Sequence, residues 1–271
     1  MDNEELRKKY NPDGSLLRSH QLRMLEMLLE IDRICKKYKI QYWLSSGTLL
    51  GAIRHNGFIP WDDDLDIEML REDYIRLIKV LPYELSSKYT LQDENSDKFY
   101  FYHYAKIRDK FSILNEQNGY DRKLRHKGIY IDIFYIEKHP VWLHNLSLKT
   151  TGHMYKIWRC SKNDESSIKR VRIIYDTNKK IIYPLFRLFC RLFKVKTYVW
   201  GMGIPFYSKR DIQDLFPLTD HNFENYSFPV PHNSDGYLHR MYGDYMKLPD
   251  LSNLGGHVKQ LIFLDNSNRY E

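Results

Sequence analysis

Asp62, Asp63, Asp64 and Asp66 crowd into one short stretch, hemmed in by Trp61, Leu65, Ile67, Met69 and Leu70. Acidic clusters normally lie on solvated surfaces, but from Asp64 to Leu70 polar and apolar residues alternate as in a half-buried strand. The carboxylates must therefore enter the fold with that strand. Successive strand side chains point to opposite faces. Asp64 and Asp66 share a face, roughly 6.6 Å apart along the chain at ~3.3 Å per residue. Leu65 and Ile67 take the other face and anchor the strand in the core. Two carboxylates on one face repel unless something positive lies between them. A divalent cation is the simplest answer, and hard oxygen ligands suit Mg²⁺ or Mn²⁺. Asp62 has the same parity and is either an outer ligand or the ion-pair partner of Arg54. Asp63 reads as a turn or cap residue.

A second acidic position lies in "GIYIDIFYIE", where Asp132 is surrounded by Ile129, Tyr130, Ile131, Ile133 and Phe134. Burying a lone carboxylate there is costly unless it is paired or metal-bound. Pairing of adjacent strands would bring it beside the first two, and three carboxylates can hold two metals ~3.5–4 Å apart around a phosphoryl group. Upstream, Gly47 lets the backbone approach a phosphate closely. Thr48 sits in the first turn of a short helix ending near Arg54, whose free N–H groups favour anions. Ser45 and Ser46 add hydroxyls. Arg54 either closes that helix favourably against its dipole or meets substrate.

The rest of the chain organises around these points. Asn11-Pro-Asp-Gly14 is a turn, followed by a helical run in which Leu22, Leu25, Leu28 or Leu29, and Cys35 share a face. Strands are expected at 41–45, 64–70, 89–92, 101–107 and 129–136, with a helix at 71–80. From Trp142 to about Val199 the pattern is helical and basic, and beyond Gly201 it is loop-rich with short elements. The mixture predicts an α/β or α+β core. The three cysteines are odd in number and widely spaced, which points to a reducing compartment. The polar N-terminus has no apolar core of a signal peptide, and no apolar run is long enough to span a bilayer. Net charge is +7, from 42 basic and 35 acidic residues, which suits a nucleotide, a nucleic acid, an anionic glycan or a lipid surface. The segment 181–196, "IIYPLFRLFCRLFKVK", has Arg187, Arg191 and Lys194 on one stripe with Leu and Phe around the remainder. It either lies on an anionic membrane or packs on the core with its basic face solvated.

The stretch "GTLLGAIRHNGFIPWDDDLDI" closely resembles the LicD family, whose bacterial members transfer phosphocholine to cell-surface glycans and which is related to fukutin and fukutin-related protein. "AKIRD" at 105–109 and "YGDYMKLP" at 242–249 are similar as well. The family belongs to the nucleotidyltransferase superfamily. Its pattern of a turn, an Asp-apolar-Asp strand and a later third carboxylate falls on Gly47-Thr48, on Asp64 and Asp66, and on Asp132. The resemblance implies an α+β fold, a nucleotidyltransferase-type mixed sheet flanked by helices, with a helical, basic C-terminal half. Residues 1–140 read as the catalytic core and 141–271 as an extension packed on it. It also implies transfer of a substituted phosphate from a CDP-linked donor to a sugar or polyol hydroxyl of a surface glycan or its lipid-linked precursor, with release of CMP. Asp64, Asp66 and Asp132 would be catalytic and metal-binding. Ser46, Gly47, Thr48, Arg54, Lys106 and Arg108 would bind substrate, the last two facing the same phosphates from one strand. The expected location is cytoplasmic, peripheral at the inner face of the membrane.

Two other classes remain. A true nucleotidyltransferase would attach NMP and release pyrophosphate, and the carboxylates do not tell which phosphorus is attacked. A non-catalytic basic module would bind nucleic acid or membrane without need of the aspartates. No RNA-binding aromatic motif or helix-turn-helix signature is present, so nucleic acid is not expected as a partner.

Overall fold

The alternation that begins at the aspartates becomes strand β2 (Asp66–Leu70), in which Ile67 and Met69 are fully buried. In the computed structural model, which describes residues 2–117, 119, 123–160, 165–205 and 209–265, β2 pairs in parallel with β6 (Tyr130–Lys138). Strand β6 is the spine of a mixed sheet. On its other edge, its first half meets β4 (Ala105–Asp109) and its last three residues meet β7 (Tyr198–Trp200), both antiparallel. The sheet runs β1 (Trp43–Leu44), β2, β6, β4, β3 (Tyr89–Gln92), with β8 (Lys209–Arg210) added beyond β7.

Helices flank this sheet. Helix α1 (Asn3–Tyr10) precedes α2 (Leu16–Tyr38), which is capped by Ser15 and turns its Met24, Leu28, Ile31 and Cys35 into the core. Helix α3 (Ser46–His55) links β1 to the aspartates and packs on β2; α4 (Arg71–Glu84) packs on β2, β3 and β6. The helical segment after β6 comprises α5 (Val141–Cys160), α6 (Glu165–Thr177), a π-helical turn (Asn178–Ile182) and α7 (Tyr183–Leu192). After β8 come α8 (Ile212–Leu215), the hairpin β9 (Thr219–Phe223) and β10 (Tyr226–Val230), and α9 (Ser234–Tyr242). The last strand, β11 (Val258–Phe263), pairs antiparallel with β5 (Ser112–Glu116).

The fold is thus α+β with a mixed sheet and flanking helices, as expected. Two boundaries differ for physical reasons. The strand expected at 101–107 begins only at Ala105, because Phe101 leaves the sheet to pack edge-on against Trp158 and Tyr175 of the helical layer. The strand expected from Asp64 begins at Asp66. The Leu65 carbonyl still accepts the Asp132 N–H at 3.0 Å, so residues 64 and 65 continue the strand direction as an extended lead-in. The β5–β11 pairing, across some 145 positions, carries no local signal and was not expected.

Candidate active site

The sheet register decides the site. Asp66 of β2 stands opposite Asp132 of β6, and Asp132 stands opposite Lys106 of β4. Adjacent strands lie about 4.8 Å apart, so one row crosses three strands: carboxylate, carboxylate, ammonium. Lys106 closes on Asp132 with Nζ 2.7 Å from Oδ1, its ammonium 3.4 Å from the Tyr130 ring centroid. The row lies along a cavity of about 780 Å³, together with Asp62 and Asp64, with Ser46 and Gly47 from the start of α3, and with His257 just before β11.

This is an electrostatically loaded place. Burial, then repulsion from Asp64 and Asp132, holds the Asp66 carboxyl well above its ordinary range. Asp62 is raised in the same way by burial and Asp64. Asp64 is pushed up to about 6, chiefly by burial, although the neighbouring His257 opposes the shift. Asp132 is raised by burial against the pull of Lys106. Among the described residues, no three carboxylate, imidazole or thiol groups are drawn together as a ready metal-ligand cluster.

The turn into α3 is built around this charge. Ser46 has φ +50°, a left-handed conformation that strains a residue with a side chain, and such strain gathers at functional sites. The first helical bond is Leu49 N–H to the Ser45 carbonyl, so the N–H groups of residues 46–48 have no helical acceptor. A Cβ on Gly47 would stand 2.9 Å from Asp62 Oδ2 and 3.9 Å from Asp64 Oδ1. Gly47→Ala should therefore displace the Asp62 carboxylate while leaving the backbone in place. Turnover is expected to fall by about 10–100-fold, the range typical of misplaced supporting groups, with little change in melting temperature. A thermal melt beside a turnover assay checks this; full activity would refute the close packing.

Three side chains expected at the substrate make contacts within the protein. The Thr48 hydroxyl accepts the Asp66 N–H at 2.8 Å and so holds the second carboxylate's backbone. Arg108 is fully buried and donates to Gln92 Oε1 at 2.7 Å and to the Gly128 carbonyl at 2.8 Å. It shares the Tyr130 ring with Lys106, but of the two only Lys106 reaches the cavity. Arg54 donates to the Tyr245 carbonyl at 2.7 Å and to His55, tying α3 to the 242–249 segment. It forms no ion pair with Asp62 among the described contacts. Asp63, expected as a turn residue, does more. Its Oδ2 accepts the backbone N–H groups of His257 and Val258 at 2.7 and 2.8 Å, and its Oδ1 pairs with His257 Nδ1 at 3.0 Å.

Sequence reasoning missed several lining residues. His257, inside "GGHVKQ", has its pKa raised to about 9, first by the hydrogen bond to Asp63, and places Nδ1 3.6 Å from Asp64 Oδ2. Tyr102, Tyr104, Phe134, Tyr155 and Trp200 form an aromatic wall where β4 and β7 approach β6. Tyr104 to Phe134 and Phe134 to Trp200 have ring centroids 4.5 and 4.4 Å apart. The 22 Tyr among 271 residues are the one sequence signal for such a wall, and they give it no position.

Residues 39–157, which hold every carboxylate of the row, match the LicD/FKTN/FKRP nucleotidyltransferase domain. The chain carries a LicD-type nucleotidyltransferase domain over that stretch. The family member most informative here is the lipopolysaccharide cholinephosphotransferase LicD of Haemophilus influenzae, 29% identical over 253 residues, which are 86% of this chain and 92% of that one. An uncharacterized Rickettsia prowazekii protein is 35% identical over 139 residues, 51% of this chain and 46% of its own. The human ribitol 5-phosphate transferase FKRP is 53% identical over 34 residues, 12% of this chain and 7% of its own. The matched LicD-type domain ends within α5, whereas His257, Trp200 and Tyr242 reach the cavity from beyond it.

Proposed function

We propose that the chain transfers phosphocholine from a CDP-activated donor to a hydroxyl of a cell-surface glycan or its lipid-linked precursor, releasing CMP. The observation that carries the reading is the row Asp66, Asp132, Lys106 at a cavity that also takes in the start of α3.

A divalent cation, Mg²⁺ or Mn²⁺, fits the donor set. The side chains offer hard oxygens, and their crowding in burial is relieved by positive charge. An open Mg²⁺ site needs only one or two protein carboxylates, with waters and substrate phosphates completing it, so no closed three-residue cluster is required. Asp64 and Asp66 would hold it, with Asp132 beside them. When bound, it would neutralise charge on the donor pyrophosphate.

The protein's own groups do the rest. The N–H groups at Ser46 and Gly47 cradle a donor phosphate. Lys106 adds a buried positive charge next to it. Asp132, raised by burial, takes the proton of the acceptor hydroxyl. The bond from the head-group phosphorus to the CMP oxygen breaks, a bond to the acceptor oxygen forms, and CMP leaves with the electron pair. The aromatic wall favours a quaternary ammonium head group, since ring faces attract such cations. The name of the Haemophilus relative agrees with that choice.

Incubation with Mg²⁺, an acceptor glycan and CDP-choline, CDP-ribitol or CDP-glycerol, with mass spectrometry of the products, tests the reading. CMP and a phosphocholine-modified acceptor are expected from CDP-choline. CMP from CDP-ribitol alone would overturn the head group and leave the reaction class standing. Release of pyrophosphate from a nucleoside triphosphate, without use of any CDP-linked donor, would move the chain to the nucleotidyltransferases.

A further inference from the structure

Helix α7 is turned in an unexpected sense. Arg187, on the basic stripe, points inward and donates to the buried Glu137 at 2.6 and 3.1 Å. Tyr183 and Cys190 complete the inward face, packing with Leu143 and Met202. The outward face is therefore apolar. Leu185, Leu188, Leu192 and Phe193 are exposed by 59, 52, 70 and 68%. Their spacing follows one side of a helix. Trp142, at the start of α5 and 57% exposed, extends the patch. Its ring centroid lies 6.2 Å from Phe189, which in turn lies 4.4 Å from Phe193.

The charge carried by α5 and α7 themselves has a single sign. No Asp or Glu occurs from 177 to 210 or from 138 to 163, so α5 and α7 carry no carboxylate at all. Arg191, Lys194 and Lys196 are exposed at the end of α7; Lys179 and Lys180, just before it, are exposed but pair with Glu94 and Asp176. Among the described residues no helix is long and apolar enough to cross a membrane. Exposed Leu, Phe and Trp ringed by Lys and Arg are what a helix lying in an anionic bilayer interface requires: apolar residues for the acyl boundary, cations for the headgroups.

We propose that the outward face of α7, with Trp142 of α5, seats the protein on an anionic membrane surface. The second end of α5 reaches the cavity through Tyr155 and Arg159. At ~1.5 Å per residue, Trp142 and Arg159 stand roughly 25 Å apart along that helix. One rigid element thus links the seated surface to the site. Membrane binding itself needs no donor or acceptor, so it stands or falls independently of the proposed reaction.

The test is flotation of the full chain with vesicles of phosphatidylglycerol and phosphatidylcholine in equal parts, against vesicles of phosphatidylcholine alone. Binding to the anionic vesicles is expected, weakened at least tenfold by raising salt from 50 to 500 mM, with a blue shift of tryptophan emission on binding. The triple variant Leu188→Ser, Leu192→Ser, Phe193→Ser should lose at least tenfold in vesicle affinity while its circular dichroism and melting temperature stay unchanged. A second variant, Arg191→Glu with Lys194→Glu, checks the charge arm without touching the apolar residues. Failure of the wild type to float with anionic vesicles at low salt would overturn the proposal. So would equal binding by the triple variant. A dimer in solution that this variant converts to monomer would assign the face to a second copy of the chain instead.

Discussion

Asp66→Asn should make the protein inactive and more stable at once. Asp66 is half-buried, stands opposite Asp132, and is repelled by Asp64. Because carboxyl groups here titrate above their ordinary range, the folded state binds protons more tightly than the unfolded chain does. Their contribution to stability is fully present at low pH and is lost as pH rises through the folded-state values. For Asp64 that window runs from about 4 to about 6. At pH 7.5, above the Asp64 value, the chain without bound cation carries more of the repulsion than at pH 5. Each pKa unit corresponds to about 1.4 kcal/mol, so removing one charge should stabilise by on the order of 1–3 kcal/mol. That is several degrees in melting temperature for a chain of this size. The gain should shrink below pH 5. Transfer should fall by about 10²–10⁴, as for loss of a catalytic acid–base or charge-stabilising group. Mg²⁺ should raise the melting temperature of the wild type and leave the variant nearly unmoved. A variant that melts lower than wild type at pH 7.5 and retains activity would refute the account.

Arg210→Leu is expected to be the most damaging single change away from the cavity. Glu68, on the same strand face as Asp66, is fully buried and accepts from Arg210 Nε and Nη2 at 3.0 Å each. It also accepts from Trp43 Nε1 and the Tyr237 hydroxyl, both at 3.0 Å. These contacts join β1, β2, β8 and α9 beneath the aspartates. Removing one partner of a buried pair leaves a charge without compensation and costs about 3–5 kcal/mol. A fall of roughly 10 °C in melting temperature should follow. The double variant Arg210→Leu, Glu68→Met should recover part of the loss, because apolar replacement of both partners is better tolerated. Denaturant titration of the three proteins decides; a single variant within 1 kcal/mol of wild type would show that the pair is not sealed from water.

What could be read from the sequence was what depends on parity and local pattern. Asp64 and Asp66 share a face because strand side chains alternate, and Asp132 falls into their row because the apolar run around it could only be an internal strand. The helix behind Ser46 and Gly47 was legible for the same kind of reason. Parity also put Lys106 and Arg108 on one face, but it says nothing about reach. Arg108 is consumed by Gln92 and the Gly128 carbonyl, partners brought by other segments. The side-chain partners of Thr48 and Arg54, on residues 66 and 245, lay equally beyond what local pattern can show. The orientation of α7 was hidden because a helical wheel fixes which residues share a stripe, and only the buried Glu137 determines which stripe turns in.

The clasp at Asp63 bears on when the site comes into being. His257 and Val258 are 194 and 195 positions away from the carboxylate they grip. A contact of such span closes a very long loop, and contacts of that kind form late. During synthesis the sheet, the aspartate row and α3 can all be assembled while the clasp is still missing. The catalytic cavity would then lack one side until β11 emerges and docks on β5. Activity is in this sense a report that β11 has been threaded home, and a nascent chain stalled before it would hold the crowded carboxylates without the imidazolium that tempers them.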